Sequence, residues 1–307
     1  MSALDGHLDE YLQIRRALGH ELADAARLLP RFVDHLDALG VETITVESAL
    51  AWVTEPEVDA FSSVCMRRMT AVRGFARHMS GIDPATEIPP LGLVSFRPRW
   101  RQPFVYSDDD VVALMNEVPR HVPTPLRAAT FQTMIGLLAA TGMRIGEVIA
   151  LERRDVDWID AVITVRSSKF NKSRELPVDA STMSALGDYA ARRDPLVPEP
   201  VSSMFFVSGK GTPIIYTDFG EKFRAIVRAA GIGANSTFPP RVHDLRHSFA
   251  VNTLVRWYRD GVDVGASLAR LSTYLGHRAP GHTYWYLSAT PELLGLAAAR
   301  LEKRTRS

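Results

Sequence analysis

Four short segments of this 307-residue chain set polar, chemically capable side chains into helix-forming, mostly apolar surroundings. The first is Ala140-Thr-Gly-Met-Arg144-Ile-Gly-Glu147, where an arginine follows a glycine turn at a helix start. Burying a guanidinium is costly unless an anion or carboxylate pairs with it. Arg144 therefore either pairs with Glu147, one turn on, or forks onto a phosphate. The second, His243-Asp-Leu-Arg246-His-Ser-Phe-Ala250, places His243 and Arg246 on one side of a helix start, and a helix N-terminus is a natural anion site. His247 comes next in the chain and points about 100° away from Arg246. The third is Tyr274-Leu-Gly276-His277, followed nine positions later by Tyr286 within His282-Thr-Tyr-Trp-Tyr-Leu287. The fourth, Ser167-Ser-Lys169-Phe-Asn-Lys172-Ser-Arg174, is a cationic tip between two short strands, either solvated or facing an anion.

Together these pieces answer one chemical problem: attack on a phosphodiester without a metal. The trigonal-bipyramidal transition state needs donors around the non-bridging oxygens, and two guanidiniums and two imidazoles supply them. A tyrosine hydroxyl, with an ordinary pKa of about 10, becomes a nucleophile when cations and a nearby base assist its deprotonation. A departing sugar 5′-hydroxyl needs a general acid, which a lysine on a hairpin tip can deliver.

The elements that must position these groups are mainly helical. In the first part, segments at Leu8–Leu29, Leu36–Leu39, Val46–Trp52 and Phe61–Met79 read as helices, with breaks near Pro30, Gly40, Pro56 and Gly81 to Pro84. Over Phe61–Met79 the apolar positions share one face while Arg67, Arg73 and Arg77 cluster opposite, a face that is either solvated or laid against phosphates. Arg68 falls inside the apolar arc and fits neither pattern. Pro84 to Pro103 then reads as an extended linker. Ser107-Asp-Asp-Asp110 caps a helix from Asp108 to Val118. Beyond it come helices at Leu126–Ala140, Ile145–Leu151, Ser181–Arg192, Thr217–Ala230, Asp244–Trp257, Val264–Leu275 and Pro291–Lys303. A hairpin of Ala161–Val165 with Glu175–Val178 is expected, with Phe205-Phe-Val207 as a third strand. The tail Pro291–Arg304 either docks on a neighbouring subunit or packs on its own domain.

Composition narrows the class. The chain is 46% apolar and 23% charged, ordinary for a globular protein. No apolar run is long enough to span a membrane, and the acidic N-terminus does not read as a secretory signal. A single cysteine, Cys65, excludes a disulfide framework and thiolate metal clusters. The net charge of +1 hides a gradient: residues 1–96 carry 8 basic and 14 acidic side chains, and every lysine lies at Lys169 or later. The basic larger part suits a polyanionic partner.

In order and spacing, Ala140 to Glu147, His243 to Ala250, Leu275-Gly-His277 and Tyr286 resemble the tyrosine recombinases, or phage integrase family, over roughly Ser107 to Leu296. The resemblance implies a mainly α fold with a small antiparallel β-sheet. Residues 1–96 would form a helical core-binding, SAM-like DNA-binding domain, 97–106 a linker, and 107–307 the catalytic domain. It also implies roles. Arg144 and Arg246 would clamp the scissile phosphate, with Glu147 supporting. His243 would act as acid/base, His277 would hydrogen-bond a phosphate oxygen, and Lys169 would protonate the leaving 5′-oxygen. Tyr286 would become linked to the 3′-phosphate, the nine-residue interval favouring it over Tyr284. Lys172, Arg174 and the Arg67, Arg73, Arg77 face would bind DNA backbone. The implied activity is site-specific recombination or integration, serving a mobile element, in the cytoplasm at the nucleoid. The implied partner is double-stranded DNA, held by a homotetramer on paired sites, with no cofactor, metal or membrane. Alternatives are DNA relaxation of the type IB topoisomerase kind and a catalytically silent DNA-binding protein.

Overall fold

The computed structural model describes residues 3–20, 22–55, 62–94, 101–168, 172–277, 281–288 and 290–305. Met1–Trp100 and Arg101–Ser307 form two compact units. The first holds α1 (Ala3–Ala17), α2 (Ala23–Ala38), α3 (Val46–Thr54) and α4 (Val64–Met79). Its core joins Leu8, Leu29, Phe32, Leu36, Trp52, Val72 and Phe75. Pro30 does not break the chain as expected but lies inside α2. Leu28, Leu29, Phe32 and Val33 surround it and are buried, so packing of the apolar face outweighs the lost backbone bond. The break falls earlier, where Gly19 takes a left-handed φ of 83° after α1. Arg68 also gains an explanation: its guanidinium lies 4.7 Å over the Trp52 ring and donates to the Trp52 carbonyl at 2.9 Å.

The second unit begins at Arg101, and residues 101–106 fold with it rather than forming a linker. Tyr106 is buried and its N–H donates to Ser248 Oγ at 2.8 Å. Then follow α5 (Asp108–His121), capped by Ser107 and Asp110, α6 (Pro125–Thr141) and α7 (Ile145–Ile149). Strands β1 (Val156–Asp157), β2 (Val162–Ser168) and β3 (Lys172–Pro177) pair antiparallel in the order β1-β2-β3. The third strand is thus Val156–Asp157 and not Phe205–Val207, whose surroundings make only isolated bridges at Met204 and Val207. Phe205 and Phe206 instead fill the core beside Tyr189. Helices α8 (Ala180–Leu196), α9 (Tyr216–Ala229), α10 (Val242–Arg259), α11 (Val264–Leu275), α12 (Gly281–Tyr284) and α13 (Pro291–Thr305) complete the unit, with a 3₁₀ turn at Trp285–Ser288.

Two cores divide this unit. The larger gathers Phe131, Ile135, Leu138, Ile163, Leu176, Phe219 and Phe223 around α6. The smaller lies among α10, α11 and α13, and includes Leu254, Leu271, Leu275, Tyr286 and Leu293. The tail helix α13 packs here on its own domain, with Leu293 buried and Glu292 paired to Arg259. Between the cores, Gly142 ends α6 in a left-handed turn with φ 60°. A Cβ there would lie 2.6 Å from the Phe249 ring. Gly142→Ala is expected to lower stability by about 2 kcal/mol, the cost of a left-handed alanine plus a displaced ring. Urea denaturation checks this, and an unchanged midpoint would show that the turn does not need glycine.

Candidate active site

Three helix ends bring the singled-out residues together. The Gly142 turn aims Arg144 from the start of α7, the first turn of α10 supplies His243, Arg246 and His247, and Gly276 ends α11 with φ 67° just before His277. The last turn of a helix exposes carbonyls with no partner in the helix, at the negative end of its dipole. Here the end of α11 meets arginines. Tyr274 O accepts from Arg174 Nε at 2.8 Å, Leu275 O from an Arg246 terminal nitrogen at 2.5 Å, and Gly276 O from one of Arg144 at 3.1 Å. Arg246 also donates to Gly142 O at 2.7 Å. It is 2% exposed, whereas the Arg144 side chain keeps 30% of its surface. Burial and then Arg144 pull the Arg246 pKa to about 10, which leaves it cationic at neutral pH.

Glu147 lies between two of these arginines. It accepts from the Arg144 N–H at 2.9 Å and its guanidinium at 2.7 Å, and from both terminal nitrogens of Arg174 at 3.0 and 2.8 Å. Burial opposes ionisation of Glu147, but the hydrogen bonds and charge of Arg174, followed by those of Arg144, outweigh it and hold the carboxyl at about 2. Glu147 thus pairs with Arg144 and Arg174 together. Arg174 is more enclosed than a hairpin-tip cation: all three of its guanidinium nitrogens are engaged inside the protein and its side chain is 10% exposed. The cause is strand register. Arg174 pairs with Val165 and Leu176 with Ile163, and the inward side of the pleat carries Ile163, Val165 and Leu176. Arg174 therefore points inward beneath the hairpin.

Tyr286 is 1% exposed, and burial pushes its phenol up to about 12 while Arg246 and Arg144 pull it down. Both guanidiniums thus act on the phenol. Its hydroxyl lies 2.9 Å from His247 Nδ1. His277 lies 6.3 Å away, nearly parallel to the Tyr286 ring, and its Nδ1 is 2.8 Å from Thr283 Oγ1. His243 packs edge-on against His247 at 4.7 Å. Although His243 reaches solvent, enclosure by the surrounding protein and then the Arg246 charge favour its neutral form. Tyr284 is exposed. Arg144, Glu147, His243, Arg246, His277 and Tyr286 are therefore brought together. Lys169 lies outside the described residues, as does the Lys172 side chain at the start of β3. The His247 contact was not expected, because helical geometry alone turned that ring away from Arg246.

The arginines of α4 have divided roles. Arg77 is exposed and Arg67 is half-exposed, 3.6 Å from Asp24. Arg73 lines one concavity with Arg67 and Arg77, and it also donates to the Pro89 and Pro90 carbonyls at 2.8 and 2.9 Å, which ties down the proline segment.

Residues 105–292 match the model of the phage integrase family. The chain belongs to that family. A putative integrase/recombinase, y4rB, of Sinorhizobium fredii is 41% identical over 99% of this chain and 98% of its own length. Among solved structures, the integrase of transposon Tn1549 with transposon right end DNA gives a TM-score of 0.62 at 16% identity, covering 96% of this chain and 99% of that one. A lambda integrase tetramer on a Holliday junction gives 0.61 at 16% identity, covering 92% and 76%. The protein is a site-specific tyrosine recombinase, an enzyme that cleaves and rejoins DNA strands. Its mainly helical fold with a small antiparallel sheet is the fold of these neighbours. Among the described residues no helix is long and apolar enough to cross a membrane.

The depressed Glu147 carboxyl stabilises the fold at pH values above its unfolded pKa, near 4.5, and that contribution disappears as pH falls through about 2. Glu147→Gln is expected to cost about 3 kcal/mol at pH 7. The gap from wild type should narrow between pH 4.5 and 2, read by urea denaturation at several pH values. A gap independent of pH would deny the carboxylate this role.

Proposed function

We propose that Tyr286 is the nucleophile of this recombinase and that Arg144 and Arg246 clamp the scissile phosphate. The observation that carries this reading is the convergence of three remote segments: a buried phenol within the field of two fixed guanidiniums. Tyr286 Oη would attack phosphorus, the bond to the sugar O5′ would break, and Lys169 would give that oxygen its proton. The phosphodiester is kept as a 3′-phosphotyrosyl bond, which a 5′-hydroxyl of the partner duplex then attacks, so no external energy source is required. Each guanidinium has five N–H groups. Among the described residues, two terminal nitrogens of each arginine hold carbonyls or Glu147, which leaves N–H groups for the non-bridging oxygens. Their geometry is set before DNA arrives, and such preorganised donors stabilise the transition state most. His277 would add a further hydrogen bond, and Lys172 a backbone contact.

Residues 1–96 would act as the core-binding domain, with Arg67 and Arg77 against the phosphates of duplex DNA. Neighbours of the same fold include a transposon integrase and a tetramer on a Holliday junction. They support the reading of a homotetramer on paired sites serving a mobile element, and a DNA substrate would place it at the nucleoid.

A target site selected from randomised duplex DNA, rebuilt as a nicked suicide substrate, tests the chemistry. Tyr286→Phe is expected to bind it normally and form no covalent adduct; a surviving adduct would move the nucleophile elsewhere. Arg144→Ala and Arg246→Lys should each slow cleavage by about a hundredfold or more. Neutralising Arg67 and Arg77 together should flatten the salt dependence of binding by up to about 0.9 per lost phosphate contact. An unchanged slope would return that face of α4 to solvent.

A further inference from the structure

The first histidine of the α10 box, His243, is the one that family resemblance points to as acid/base. The structure puts the second one on the reacting oxygen. We propose that His247 is the catalytic base that takes the phenolic proton of Tyr286, an inference that rests on Tyr286 being the nucleophile.

Several observations meet at His247 Nδ1. It lies 2.9 Å from Tyr286 Oη, hydrogen-bond distance to the oxygen that would attack. The ring is held on two sides, by Trp285 edge-on at 5.2 Å and by His243 edge-on at 4.7 Å, and Trp285 in turn packs on Tyr286 at 4.2 Å. The groups that face the ring are His243, Asp244, Arg241 and Arg246 from its own helix, and Tyr286 from the 3₁₀ turn. Burial and then His243, with Arg241 and Arg246, outweigh Asp244 and hold the imidazole at about 4, so it is neutral at pH 7 with a lone pair to offer. With the ring proton on Nε2, as the proposal requires, the phenol donates to Nδ1. His247 is also the neighbour of Arg246 on α10, so one rigid helix carries both the phosphate clamp and the proton acceptor.

The step balances without a co-reactant. As the Tyr286 Oη–phosphorus bond forms, its proton passes to His247 Nδ1. The phosphorus–O5′ bond breaks, and O5′ takes a proton from the general acid. On rejoining, the 5′-hydroxyl returns its proton to the former general acid as it displaces the phenolate, which recovers its own proton from the imidazolium. The imidazolium is far more acidic than the phenol, so it gives the proton back readily to a departing phenolate.

The test uses the full chain and the nicked duplex described above, with single-turnover adduct formation followed from pH 6 to 9. His247→Gln keeps a hydrogen-bond acceptor beside the phenol and removes the base. Expected are a loss of about a hundredfold at pH 7, duplex affinity within twofold of wild type, and a variant rate that climbs about tenfold per pH unit as hydroxide replaces the imidazole. Cleavage within threefold of wild type at pH 7 would overturn the proposal, as would a loss that pH does not restore. Because a substitution here can disturb the smaller core, the wild-type chain provides a second readout. Nitrogen-15 NMR of His247 should show a bare Nδ1 and a protonated Nε2, and a protonated Nδ1 would also overturn it. Tyr286→Phe separates the two levels: an adduct surviving that change defeats the nucleophile assignment itself, whereas its loss beside an active His247→Gln defeats only the role of the base.

Discussion

The C-terminal end of α11 is the keystone of the site. Helix ends elsewhere satisfy their last carbonyls with water, a glycine turn or a lysine, whereas this one hands three successive carbonyls to three arginines. The arrangement meets two needs at once. The carbonyls gain charged donors at the negative end of the helix dipole, and the guanidiniums are immobilised at full charge. A cationic clamp built from loose side chains would lose conformational entropy each time it gripped a phosphate. Here that cost belongs to folding, and the Glu147 carboxylate is shared between two of the arginines.

Much of the remaining architecture follows from this demand. Gly142 and Gly276 are the residues that let α6 and α11 end abruptly enough to place Arg144 and His277. At Gly276 a side chain would push into Arg174, with a Cβ 3.0 Å from its terminal nitrogen. The small core of Leu254, Leu271, Leu275 and Leu293 then fixes the opposite wall, on which Tyr286 rests. Burial raises the phenol while the guanidiniums lower it, so Tyr286 is held neutral within a field that favours its ionised form.

Which of these features the sequence made legible depends on how local their cause is. Arg144, Arg246, His277 and Tyr286 stood out because polar residues interrupt apolar helical patterns at fixed intervals. The helices of the second unit were readable for the same reason. Pro30 misled because a proline rule describes the backbone alone, and burial of Phe32 and its neighbours decides that helix. Arg174 looked like hairpin surface because tip charges usually are. The clue lay two residues on, in Leu176, since a strand that buries one position buries the position two before it. Arg73 and His247 carried no such clue. Their partners, the Pro89 and Pro90 carbonyls and the Tyr286 hydroxyl, are fixed by tertiary approach, which no periodicity encodes.

The separation in sequence between Gly142 and Tyr286 has a bearing on genome safety. Neither a nascent polypeptide still missing its last helices nor a proteolytic fragment ending before Trp285 contains the phenol, and without α11 the arginines lose their mounts. On the proposed reading, the phenol and its arginines meet only once the chain has been made through Leu293 and the small core has closed. A fragment that stops short of Trp285 keeps the arginine segments but, on that reading, has no group with which to open a DNA strand.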